Sequence, residues 1–155
     1  MTSASPTELP DLDPVSQPLA AGNGRQPLRL LGHFLSAGFP SPAEPCEEEA
    51  LDLNAYLVRH QASTFLFTVK GDSMKGAGIA AGDKVLVDRA LEARHGDIVV
   101  AAVAGEYTLK RLHLRDGDVA LLPENPAYAP IRLREGAELQ VWGVVVGLVR
   151  RYRRK

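Results

Sequence analysis

Two residues of this chain, Ser73 and Lys110, have types and settings that invite chemistry. Ser73 lies in Gly71-Asp72-Ser73-Met74, directly after the β-branched and aromatic run Thr64 to Val69. That run reads as a buried strand, and Lys75-Gly76-Ala77-Gly78 after it reads as a glycine-rich turn. A serine placed where a strand gives way to a tight turn presents its hydroxyl at an open sheet edge. A hydroxyl is a poor nucleophile near neutral pH unless a base activates it. His33, His60, His95 and His113 form no triad pattern with a carboxylate and read as surface or turn residues.

Lys110 is the better base. It sits in the alternating run Glu106 to Leu114, where Thr108, Lys110, Leu112 and Leu114 share one face and Tyr107, Arg111 and His113 the other. Leu112 and Leu114 mark the first face as the buried one, so Lys110 points inward. Burial disfavours the charged amine and lowers its pKa, and a neutral lysine can act as a general base. A turn serine satisfying a local backbone group is the alternative for Ser73. A solvated edge-strand lysine, through a one-residue slip of register, is the alternative for Lys110.

Taken together, Gly71-Asp72-Ser73-Met74, Gly82-Asp83, His95-Gly96-Asp97-Ile98-Val99 and Lys110 resemble the LexA/UmuD family of self-cleaving serine-lysine proteins. Ala37-Gly38-Phe39-Pro40-Ser41-Pro42 resembles the cleavage region of the UmuD type, and the resemblance spans roughly Leu30 to Arg150. It implies a serine peptidase that cuts its own chain between Ala37 and Gly38, with Ser73 as nucleophile and Lys110 as general base and acid. It also implies that backbone N–H groups of Asp72 and Ser73 hold the oxyanion. No cofactor and no metal are expected. The implied partners are a second copy of the chain, a RecA filament on single-stranded DNA, and an error-prone Y-family polymerase of the UmuC type. The implied setting is translesion synthesis and SOS mutagenesis. A non-catalytic interaction module and a cleavable repressor-like regulator are the alternative functions.

The remaining sequence is consistent with that expectation. At 155 residues, 45% of them hydrophobic, the chain has room for one domain and a tail. A net charge of −1 favours neither nucleic acid nor membrane, although Arg150, Arg151, Arg153, Arg154 and Lys155 give a basic end that reads as solvated. One cysteine, Cys46, excludes an internal disulfide and fits a reducing, cytoplasmic setting. There is no apolar stretch long enough to span a membrane and no signal-peptide pattern. Gly76 and Gly78 do not make a phosphate loop, because the Gly-Lys-Ser/Thr ending is missing.

The elements that must position the pair follow from patterning. Prolines 6, 10, 14, 18 and 27 make residues 1–37 a flexible arm, which argues against a helix-turn-helix and sequence-specific DNA binding. Leu28 to Ala37 suits a short helix or a strand equally, and residues 38–50 read as an extended connector. Residues 51–155 form the peptidase-like domain. In it Asp52 caps a short helix, Leu53 to Val58, with Leu53, Tyr56 and Leu57 on its apolar face. Strands follow at Lys84–Asp88, Asp97–Val103, Glu106–Leu114, Asp118–Leu122, Ile131–Leu133 and Leu139–Val149. Ala104-Gly105 joins two of them as a hairpin. The fold class is therefore mostly β: curled antiparallel sheets with one short helix.

Overall fold

Apolar runs and turn residues become nine strands and one short α-helix among the residues described by the computed structural model, which are 28–32, 34–40, 42, 45–134 and 139–153. The proline-rich stretch 1–27, His33 and the last two basic residues lie outside them. The chain divides into two compact units, with the break between Arg59 and His60.

In the smaller unit, β1 (Leu28–Leu31) pairs antiparallel with β2 (Glu48–Leu51), with Leu30 opposite Glu49. Of the stretch from Leu28 to Ala37 that suited helix or strand, Leu28–Leu31 is thus a strand. The end of the expected connector is also a strand, because its backbone groups find β1 as a partner. The exposed Arg29–Glu48 ion pair across them, at 3.6 Å, contributes at most about 1 kcal/mol. Helix α1 (Leu53–Leu57) starts where expected: the Asp52 carboxylate accepts the N–H groups of Asn54 and Ala55.

The larger unit is one antiparallel sheet of seven strands, in the order β3-β4-β9-β5-β6-β7-β8. These are Thr64–Thr68, Lys84–Asp88, Gln140–Val149, Ile98–Val103, Glu106–Arg115, Asp118–Leu122 and Ile131–Arg132 in that same spatial order. Register shifts between Leu86 and Val87 and between Val100 and Ala101 bend the sheet around β9. Each face then carries a core. Met74, Ile79, Val85, Val87 and Val100 fill one face, and Val99, Ala101, Leu112, Leu121 and Val144 fill the other. Central strands buried on both faces explain why Ile98–Val103 and Val144–Val145 read as continuous apolar runs without alternation. Truncating a side chain such as Leu112 to alanine costs about 2–5 kcal/mol at such a site. Val103 and Glu106 face each other across Ala104-Gly105, both at positive φ (49° and 79°), the two-residue turn that suits twisted strands.

Three expectations change. β3 is an edge strand, with Phe65 and Leu66 37% and 47% exposed, because only β4 pairs with it. Leu114 is exposed because β6 outruns β5, whose pairing ends with Ile98 opposite Arg111. Arg150, expected among solvated tail residues, instead holds the buried carboxylate of Asp83. Its Nε and Nη2 donate to the two carboxylate oxygens at 2.7 and 2.5 Å, and Nη2 also donates to the Gly78 carbonyl at 2.7 Å.

The hydrogen bond from Arg150, joined by one from the Ala80 N–H, lowers the Asp83 carboxyl from 3.8 to about 2. A depressed carboxylate contributes stability that is complete above the unfolded value and is lost as the pH falls through the folded one. Wild type should therefore lose thermal stability from about pH 4 down toward pH 2. Asp83→Asn should be less stable at neutral pH and show a flatter profile over that window, measured by thermal melts from pH 7 downward.

Candidate active site

The turn bearing Ser73 is built from local bonds and one buried anchor. Lys75 N–H donates to Asp72 O, and Ala77 N–H to Met74 O, closing a short 3-10 turn at Lys75–Ala77. Met74, beside the serine, is only 2% exposed and sits in the core against Val85 and Val87. Ser73 is thereby fixed at the rim while its neighbour is locked beneath it.

Lys110 occupies the middle of β6, on the face shared with Leu112, as the alternation required. It is 7% exposed. Its Nζ donates to Ser73 Oγ at 3.0 Å, to Thr108 Oγ1 at 2.7 Å and to Leu109 O at 3.0 Å. The three contacts constrain what the amine can do. A carbonyl such as Leu109 O only accepts, so it and Thr108 can take both N–H groups of a neutral amine. The nitrogen lone pair is then left facing the Ser73 hydroxyl, the arrangement that general-base activation needs. The N–H of Ser73 meets no acceptor among the described residues, and that of Asp72 faces the Tyr128 phenol oxygen. Ala37 and Gly38 lie exposed in a bend of the smaller unit, flanked by Leu35 and Phe39, each more than nine-tenths exposed.

Sequence reasoning did not single out the segment after β7. Glu124 N–H donates to Ser73 O at 2.8 Å, and Glu124 O accepts the Gly76 N–H at 2.7 Å. A Cβ at Gly76 would stand 2.5 Å from that oxygen, so only glycine permits the approach. Asn125 Nδ2 donates to Asp72 O, and Tyr128 Oη to Asp72 Oδ1. A polar Glu-Asn pair wedged between Pro123 and Pro126 was the available signal. The histidines also do more than decorate a surface. His60 Nδ1 is 2.6 Å from the buried Asp88 carboxylate, to which the Ser63 hydroxyl also donates. Burial pushes the Asp88 carboxyl up, but the bonds from His60, the Ala90 N–H and Ser63 outweigh it and hold it below its usual value. Both side chains address the carboxylate rather than each other, so this group is no serine-histidine-aspartate triad. His95 accepts the Leu114 N–H and packs edge-on to His113, at the far end of β6 from Lys110. No group of three or more potential metal ligands occurs among the described residues. None of the described helices is long and apolar enough to cross a membrane.

Comparison with known proteins adds a family. Residues 29–146 match the family model described as Peptidase S24-like. Protein SamA of Salmonella typhimurium is 49% identical over 117 residues, 76% of this chain and 81% of that protein. Protein MucA of Escherichia coli is 44% identical over 112 residues, 72% of this chain and 76% of its own length. The LexA repressor of Bordetella avium is 37% identical over 142 residues, 92% of this chain and 66% of that protein.

Burial holds the Lys110 amine below its usual 10.5. A lysine whose folded pKa is lowered binds fewer protons folded than unfolded, so stability rises with pH between the folded value and the unfolded one. Wild type should gain stability relative to Lys110→Met as the pH is raised toward 10.5, and the difference should be constant at lower pH once both states carry the charge. Chemical denaturation of the two proteins across that range checks the sign.

Proposed function

Because the chain belongs to the Peptidase S24-like family, with UmuD-like proteins of the LexA/UmuD group as its relatives, we propose that it cuts its own backbone between Ala37 and Gly38 with Ser73 and Lys110. The observation that carries this reading is a buried lysine nitrogen 3.0 Å from a turn serine hydroxyl.

Neutral Lys110 takes the Ser73 proton as Oγ attacks the Ala37 carbonyl carbon. The amides of Asp72 and Ser73 stabilise the oxyanion, whose charge appears only in the transition state. The ammonium of Lys110 then protonates the Gly38 nitrogen as the peptide bond breaks, leaving an acyl-enzyme at Ser73. A water molecule, deprotonated by Lys110, releases it. The product begins at Gly38, with residues 1–37 removed, residues 38–50 as connector and the peptidase domain from residue 51 intact. In this reading the protein is cytoplasmic and acts as a homodimer, cleavage is stimulated by a RecA filament on single-stranded DNA, and the product serves an error-prone Y-family polymerase of the UmuC type in translesion synthesis.

Intact-mass measurement tests the chemistry, with RecA, an ATP analogue and single-stranded DNA, and separately at alkaline pH. A fragment beginning at Gly38 should form in wild type, and Ser73→Ala and Lys110→Ala should slow it by about a thousandfold or more. The spontaneous rate should climb with pH and flatten once Lys110 is neutral. A different new N-terminus, or undiminished cleavage in Ser73→Ala, would overturn the assignment. An inert wild type would favour a non-catalytic interaction module.

A further inference from the structure

Ser73 and Lys110 are separated by thirty-seven positions and sit on different elements of the sheet. Something must hold the nucleophile turn against β6 closely enough to keep the two atoms at bonding distance. The segment after β7 makes bonds to both sides. The Glu124 backbone brackets the turn, bonding Ser73 O and Gly76 N. The Glu124 carboxylate accepts from Nε of Arg111, the residue next to Lys110 on β6, and Arg111 Nη1 also holds Gly96 O at 2.7 Å. Asn125, 5% exposed, donates to Asp72 O at 3.0 Å while its own Oδ1 accepts the Ala127 N–H. Tyr128 Oη donates to Asp72 Oδ1 at 2.7 Å, and that bond holds the phenol protonated past its usual range.

We propose that residues 124–128 are a strap that sets the reactivity of Ser73 by fixing the nucleophile turn to the strand carrying Lys110, with Glu124, Asn125 and Tyr128 as positioning residues. Its bonds to the turn use carbonyls, the Asp72 carboxylate and the Gly76 N–H, and the Asp72 N–H faces Tyr128 Oη. It therefore leaves the amide of Ser73 open toward the reaction while removing the turn's freedom to slide. The strap touches neither Oγ nor Nζ and acts only through their placement. A displacement of about 1 Å in such a pair is enough to cost up to about a hundredfold in rate. The inference rests on the self-cleavage reading for its biological meaning, though its geometry concerns Ser73 alone.

Two readouts on the full chain separate the two ideas: the first-order rate of self-cleavage across pH, and the rate at which a fluorophosphonate probe labels Ser73. Wild type, Ser73→Ala, Glu124→Ala, Glu124→Gln and Tyr128→Phe are compared, with thermal melts alongside. Tyr128 is 43% exposed, so removing its hydroxyl spares the core. Tyr128→Phe and Glu124→Ala should slow both labelling and cleavage by about tenfold or more while the pH midpoint of cleavage stays put. Glu124→Gln, which keeps an acceptor for Arg111, should recover most of the loss. Wild-type rates in both variants, losses that only track melting temperature, or slowed cleavage with unchanged labelling would each overturn the strap. Wild type that is labelled at Ser73 and slowed by the variants but never cleaves would retire the self-cleavage reading and leave the strap standing. Wild type that is neither labelled nor cleaved would overturn both.

Discussion

The contact between Lys110 and Ser73 depends on keeping an amine out of water. An isolated ammonium in a protein interior is costly, and the usual outcome is loss of its proton or capture by acceptors. Here the sheet supplies both conditions. Strand β6 is paired to β5 on one side and β7 on the other, with Leu112 locked on the same face as Lys110. The lysine cannot swing to solvent without leaving that face, and Thr108 and Leu109 hold its nitrogen where it is. The same burial that costs stability leaves more of the amine neutral, and so able to accept a proton, at lower pH.

The Ser73 turn is held by a different principle. A turn has few bonds of its own, so its geometry is borrowed from neighbours distant in sequence. Met74 fixes it from below through packing, Glu124, Asn125 and Tyr128 bind one flank, and Arg150 ties down the loop that leaves it through Gly78 and Asp83. Each of these bonds is worth only about 0.5–3 kcal/mol net. Their value lies in leaving the serine one orientation.

How much of this was legible follows from where the information resides. The inward face of Lys110, the Asp52 cap, the Ala104-Gly105 hairpin and the strand ends were readable because period and turn chemistry are local. The serine-lysine partnership came from recurring motifs, since no spacing rule pairs position 73 with 110. The burial of β3 was misjudged because apolar residues do not report whether a strand has one neighbour or two. Arg150 and His60 were misread as surface groups because their carboxylate partners, Asp83 and Asp88, lie far off in the chain. The Glu124–Tyr128 contacts had no local signature beyond two prolines and a polar pair.

The strand order has a consequence for how the protein is made. β3 and β4, which flank the Ser73 turn, are not paired directly to β5 to β8, which include the lysine; β9 lies between β4 and β5 and joins them. Among the described residues β9 is also the last strand in chain order. During synthesis the two halves of the sheet therefore await the same late arrival, and such long-range pairing is slow to form. Until β9 pairs, the β3-β4 pair beside the Ser73 turn and the strands around Lys110 belong to no shared sheet. The pairing of β9 thus decides when the two parts of the sheet become one.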